Sequence, residues 1–210
     1  MNIQAKHFPN IGFLQIKLET QELQPLNDEI KKIQQNSRLQ IPANKSLVGN
    51  IKKEYMITES LDHISSIIER CMPAYQTNFD DFLSRQDLLS EDRGLIVKTA
   101  WVNFQAKHEF NPVHDHSGVF SFVIWLKIPY DIETEINCSP GVDGRTPAPG
   151  HFSFFYTNSL GNICSYVIPA DSSMENTLLL FPAKLAHSVY PFYSSDDYRI
   201  SVSGNIVFKV

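Results

Sequence analysis

Residues 111–129 read NPVHDHSGVFSFVIWLKIP. An Asn-Pro turn leads into two histidines flanking an aspartate, and Gly118 then opens an aromatic, β-branched run. A run of this composition bounded by Gly and Pro is a strand signal. In an extended chain residues i and i+2 point to one side. His114 and His116 can therefore chelate one metal as neutral imidazoles, with Asp115 turned away. Alternation is weak beside a turn, so Asp115 stays an alternative to His116, and the polar start of a strand is the plain reading of all three.

The pattern repeats on both sides of this stretch. RGLIVKTAWVNFQAK (93–107), HFSFFYTN (151–158), ICSYVIP (163–169), TLLLFPA (177–183), AHSVYPF (186–192) and YRISVSGNIVFK (198–209) are short β-rich runs. Turn-rich pieces separate them, the longest NCSPGVDGRTPAPG at 137–150. Serial strands without intervening helices predict a sandwich or jelly roll. Residues 138–150 then form a long surface loop, a lid or a simple insertion, in which Arg145 faces solvent or an anionic substrate.

Upstream the period changes. IGFLQIKLE (11–19) reads as a strand, whereas Leu26, Ile30 and Ile33 recur at helical spacing. Leu61, Ile64, Ile67, Ile68 and Cys71 form a second helical stripe, which Pro73 bends or ends and which resumes briefly at Phe79, Phe82 and Leu83. His63 on that helix reads as a surface or core-edge residue. The chain thus divides into an N-terminal strand and helical support layer (1–92) and a β core (93–210), within one compact domain of 210 residues.

Bulk properties narrow the function. A net charge of -5 and the absence of a dense Lys/Arg tract argue against broad nucleic-acid binding. Three cysteines without CxxC spacing argue for a reducing interior, so a cytoplasmic location is expected. MNIQAKHFPN lacks a signal-peptide core and no apolar run approaches a membrane span.

Two further constellations complete the pattern. His187 follows the buried run TLLLF and a Pro turn. Alone it reads as structural; with the upstream pair it completes one face of a metal and leaves positions open. Arg199 and Ser201 alternate on the last strand. An Arg on the inner face of an apolar barrel needs an anionic partner, either Asp196 or Asp197 nearby or a ligand carboxylate. Trp101, Asn103 and Gln105 share a face of an earlier strand, toward the pocket or toward solvent. His151, Tyr156 and Tyr166 read as core or loop residues.

Taken in order, NPVHDHSGVFSFVIWLKIP, LLLFPAKLAHSVYPF and YRISVSGN resemble the non-haem iron(II), 2-oxoglutarate-dependent dioxygenases, and within them a bacterial and phage branch of oxygenases. LVGNIKKEY (47–55) resembles the N-terminal region of that branch. The resemblance implies a mainly β fold with N-terminal helices, a cupin-like double-stranded β-helix. It implies that His114 and His187 ligate Fe(II), that Arg199 aided by Ser201 binds the distal carboxylate of 2-oxoglutarate, and that Asn103 adds a contact. Most of the superfamily carries a carboxylate where this chain has His116. The implied reaction hydroxylates a small-molecule or peptidyl substrate with release of succinate and CO2. Phe120, Phe122 and Phe154 are expected to keep water from the pocket. The rivals are a three-histidine cupin-like metalloenzyme without 2-oxoglutarate, to which Arg199-x-Ser201 has no use, and a non-catalytic jelly-roll binding module. A homodimer is compatible with the chain, and a phage source would place it in the host cytoplasm.

Overall fold

The alternation read from the sequence sorts the molecule into two cores. In the strand Phe120–Lys127, the side chains of Phe120, Phe122 and Ile124 join one core, while Val123 and Trp125 join another. The neighbouring strand Thr177–Pro182 divides likewise, Leu178 and Leu180 against Leu179 and Phe181. A sheet buried on both faces reads as a nearly continuous apolar run, which is why TLLLF shows no polar alternation.

The computed structural model describes residues 11–79 and 94–209. In chain order the strands are β1 (Leu14–Lys17), β2 (Glu54–Ile57), β3 (Leu95–Gln105), β4 (Asn111–His114), β5 (Phe120–Lys127), β6 (Phe152–Thr157), β7 (Ile163–Ile168), β8 (Thr177–Pro182), β9 (Ala186–Val189) and β10 (Arg199–Phe208). They form a six-stranded sheet, β1-β8-β5-β10-β3-β2, and a four-stranded sheet, β4-β9-β6-β7. All pairings are antiparallel. This is the double-stranded β-helix, with one core between the sheets and the other beneath the helices.

The helices α1 (Gln24–Gln35) and α2 (Leu61–Asn78) bring Leu26, Ile30, Ile33, Ile64, Ile67 and Ile68 onto the outer face of the large sheet. Of the two outcomes expected at Pro73, a bend or an end, the helix does not end there but runs through it. Pro73 and Glu69, four residues before it, are both exposed, so water can take over the carbonyl that the missing N–H leaves free. Two residues on, buried Tyr75 donates to the Gly12 carbonyl at 3.0 Å and packs edge-on against Phe120. The expected resumption at Phe82 and Leu83, and the division at 92/93, lie outside the described residues.

Besides short 3-10 turns, two elements were not read from the sequence. Strand β2 extends the large sheet beside β3. A short helix, α3 (Ile132–Cys138), interrupts the strand series; the Asp131 side chain accepts from the Thr134 N–H at 2.9 Å and caps it. Seven residues are too few for a helical period to show. Beyond it, Arg145 is exposed. His63 has its Nε2 2.6 Å from the Glu22 carbonyl. Tyr156 and Tyr166 are exposed on the small sheet, and His151 is buried with Nδ1 2.6 Å from the Pro149 carbonyl.

Candidate metal centre and co-substrate pocket

Strand pairing brings together histidines 73 positions apart at most: His114 of β4 stands directly opposite His187 of β9. His116 lies past the end of β4, and its N–H donates to the Ala183 carbonyl at 2.9 Å. The expectation that strand alternation would align His114 with His116 therefore gives way to a loop held by a tertiary hydrogen bond. Gly118 closes that loop at φ 102°, where a Cβ would sit 2.6 Å from the Ile206 carbonyl oxygen.

The three imidazoles each offer one ligand atom, and these atoms lie within 4.8 Å of one another. The Nδ1 atoms of His114 and His187 lie 2.8 and 3.0 Å from the carbonyl oxygens of Pro112 and Leu185. A carbonyl only accepts, so each Nδ1 donates and each Nε2 presents its lone pair. The His116 and His187 Nε2 atoms are 3.2 Å apart, a spacing that calls for a proton or a cation between or beside them. Burial pushes His116 down to about 4 and His187 down to about 3, with the charge of His114 adding to both. Both are neutral near pH 7, the form that binds metal. The donor set fits a divalent transition metal. Asp115, the alternative to His116, instead meets Lys184 at 3.3 Å on the surface.

Aromatic rings wall His187. Phe152 stacks on it at 5.4 Å, and Phe181 and Phe154 stand at 5.0 and 6.2 Å. Trp101 lies 5.7 Å from His116. Phe154 thus has the expected position beside His187, and Phe122 borders the inner cavity while belonging to the core beneath the helices, whereas Phe120 lies in that core alone. Phe152, Phe181 and Trp125, on the inner face, were missed as pocket residues; nothing in a doubly buried run marks which side faces a ligand.

Arg199 is 1% exposed at the start of β10. Its Nε and Nη2 donate to Gln105 Oε1 at 3.1 and 2.5 Å, and Nη1 donates to Tyr130 Oη and the Gly150 carbonyl at 2.5 and 2.8 Å. Nη2 also reaches the Tyr190 carbonyl at 3.2 Å. Every one of these acceptors is neutral. Asp196 and Asp197, the nearby acids, pair with Lys107 and Lys127 instead. A buried guanidinium with neutral acceptors alone retains its attraction for an anion. Tyr130 and Gly150 escaped sequence reading, since their approach to Arg199 is purely tertiary.

Register places Gln105 opposite Arg199, Asn103 opposite Ser201 and Trp101 opposite Ser203, so these side chains share the inner face. Asn103 Nδ2 donates to Ser201 Oγ at 3.2 Å, and its Oδ1 is buried without a partner. An inner cavity of about 40 Å³ is lined by the three histidines together with Asn103, Arg199 and Ser201. It adjoins an outer cleft of about 130 Å³ that shares Trp101, Asn111, His114 and His116.

The sequence model of a family described as 2OG-Fe(II) oxygenase matches residues 99–205, just over half of the chain. Comparison with curated proteins gave no match. Among solved structures, a Pseudomonas putida prolyl-4-hydroxylase is similar with a TM-score of 0.54 and 14% identity, over 92% of this chain and 91% of that one. A 2OG-Fe(II) oxygenase family oxidoreductase from Burkholderia pseudomallei aligns at 0.52 and 14%, over 93% and 84%. A Trichoplax adhaerens prolyl hydroxylase, solved with a hypoxia inducible factor peptide fragment, aligns at 0.51 and 14%, over 94% and 83%. At such identity the likeness speaks for the fold.

Proposed function

The chain belongs to the 2OG-Fe(II) oxygenase family, and on that premise we propose that His114, His116 and His187 hold the Fe(II) while Arg199, with Ser201, binds the distal carboxylate of 2-oxoglutarate. One observation carries this reading: three imidazoles converge in a cavity that also contains a buried guanidinium with no carboxylate partner among the described residues. Bound iron and 2-oxoglutarate supply the oxidising chemistry, in which the co-substrate becomes succinate and CO2 and the substrate is hydroxylated.

The chain's own residues set the conditions for that chemistry. Three imidazoles bring no negative charge, which leaves the doubly anionic co-substrate to balance the metal. The Pro112 and Leu185 carbonyls hold two ring tautomers and orientations through Nδ1. Phe152, Phe154 and Phe181 keep the His187 side apolar. Asn103, through its unpartnered Oδ1, adds a polar contact beside Ser201. The substrate is a small molecule or a peptidyl group.

Among the described residues no helix is long and apolar enough to cross a membrane. The free cysteines Cys71, Cys138 and Cys164 support a reducing, cytoplasmic setting, in a bacterium or a phage-infected host.

Anaerobic titration with Fe(II) and 2-oxoglutarate tests the assignment. The wild type is expected to bind about one metal and to release succinate under air. His187→Ala should lose tight metal binding. Arg199→Ala, folded by circular dichroism, should keep the metal and bind 2-oxoglutarate about 10- to 100-fold more weakly. Unchanged metal content in the first variant, or unchanged 2-oxoglutarate affinity in the second, removes that assignment. Metal binding without 2-oxoglutarate uptake would favour the cupin-like alternative.

A further inference from the structure

Strand β2 carries a carboxylate that the metal and co-substrate do not account for. Glu54 is only 3% exposed. Its Oε2 accepts from Asn44 Nδ2 at 2.9 Å, whereas Oε1 is buried and has no hydrogen-bond partner. Tyr55 and Ile57, on the other face of the same strand, pack into the core beneath the helices. Glu54 stands opposite Asn103 in the β2–β3 register, so it shares the inner face with Asn103 and Trp101. It lines the outer cleft together with Trp101, Asn111, His114 and His116.

The charge balance of this cleft is one-sided. Among its lining residues are two carboxylates, Glu54 and Asp115, and no Lys or Arg. Asp115 already has Lys184. Lys53, beside Glu54 in sequence, points the other way and donates to Tyr198 Oη at 2.7 Å. Burial, and then the charge of Glu109, pushes the Glu54 carboxyl up to about 7. An enclosed acceptor without a donor is costly unless something fills its valence.

We propose that Glu54 is a specificity-determining residue whose free Oε1 receives a cationic nitrogen, an ammonium or guanidinium group, of the substrate. This rests on the oxygenase reading, in which the outer cleft is the substrate's approach to the three histidines. Free amines and basic side chains of peptides share this chemistry.

Calorimetry on protein loaded with Mn(II) and 2-oxoglutarate, and on protein without them, tests the proposal with matched probes. These are Nα-acetyl-lysinamide against Nα-acetyl-norleucinamide, Nα-acetyl-argininamide against Nα-acetyl-citrullinamide, and an N-terminally acetylated lysine-containing pentapeptide against its acetyl-lysine form. At least one cationic probe should bind wild type about tenfold or more tightly than its neutral partner. Glu54→Gln should lower that affinity about 10- to 100-fold and leave the neutral partner unchanged. The free and peptide arms separate the two sources of the cation. No cationic preference in the wild type overturns the proposal, and so does a preference that survives in E54Q. Should E54Q fail to fold, Glu54→Asp replaces it, and the wild-type comparison alone still decides against the proposal if it shows no preference. Loss of Mn(II) or 2-oxoglutarate binding by the wild type is a separate failure, that of the oxygenase reading, and leaves the charge preference readable.

Discussion

Glu54 and Arg199 are buried ionisable side chains of opposite sign, and neither meets a countercharge among the hydrogen bonds and ion pairs described. Arg199 and Ser201 were legible because period-2 spacing puts both on one face of the last strand. Gln105 was legible only as a pocket-or-solvent ambiguity, and Tyr130 not at all. Glu54 carried no signal, since a Glu after two lysines reads as a solvated charge. Its folded-state value near 7 lies above the ordinary 4.5, so the folded protein holds a proton the unfolded chain has lost. The favourable share of this group is complete below about 4.5 and is lost as pH rises through 7. E54Q is therefore expected to be more stable than wild type at about pH 8, on the order of 1–3 kcal/mol, with the gap closing toward about pH 5. Calorimetric melting at the two pH values measures this, and an equal gap at both would count against a buried carboxylate.

At the level of elements, α3 shows how a short piece can govern the pocket. Glu135 is fully buried on it and accepts from the N–H groups of Tyr193 and Ser194 at 2.7 and 2.8 Å and from Ser194 Oγ. That anchors the segment after β9, whose Tyr190 carbonyl accepts from Arg199. Glu135→Ala strips partners from two backbone donors and should destabilise the fold by about 1–3 kcal/mol. It should also weaken 2-oxoglutarate binding while metal content is retained. A melt combined with metal and co-substrate titration checks both, and wild-type stability would show the anchor to be idle. The long strands were legible because their period is local. The segment α3 and strand β2 were not, because α3 is too short for a helical period and EYMI, entered from two lysines, shows no regular polar–apolar alternation.

For the whole molecule, the histidine cluster sets an acid limit. Burial lowers His116 to about 4 and His187 to about 3, below the ordinary 6.5 of an unfolded chain. Between those values the unfolded state binds more protons, so the stability of the metal-free protein falls as pH drops from 6.5. Each histidine contributes up to about 1.4 kcal/mol per pH unit, and Glu54 opposes this with one proton over part of the window. Replacing both His116 and His187 with Ala should flatten the acid limb of the melting profile of the metal-free protein. A limb of unchanged slope would place the acid sensitivity elsewhere.

The sequence by itself determined the β-rich class, the two-faced strands, the helical stripes and the order His-x-His, His, Arg-x-Ser, because alternation and helical period are properties of neighbouring residues. Only the tertiary structure decided that Asp115 turns to Lys184, that Arg199 is held by Gln105, Tyr130 and two carbonyls, and that Glu54 Oε1 is left without a donor. Those outcomes depend on register between strands far apart in the chain. A one-residue slip would turn Arg199 and Glu54 to the opposite face of their strands.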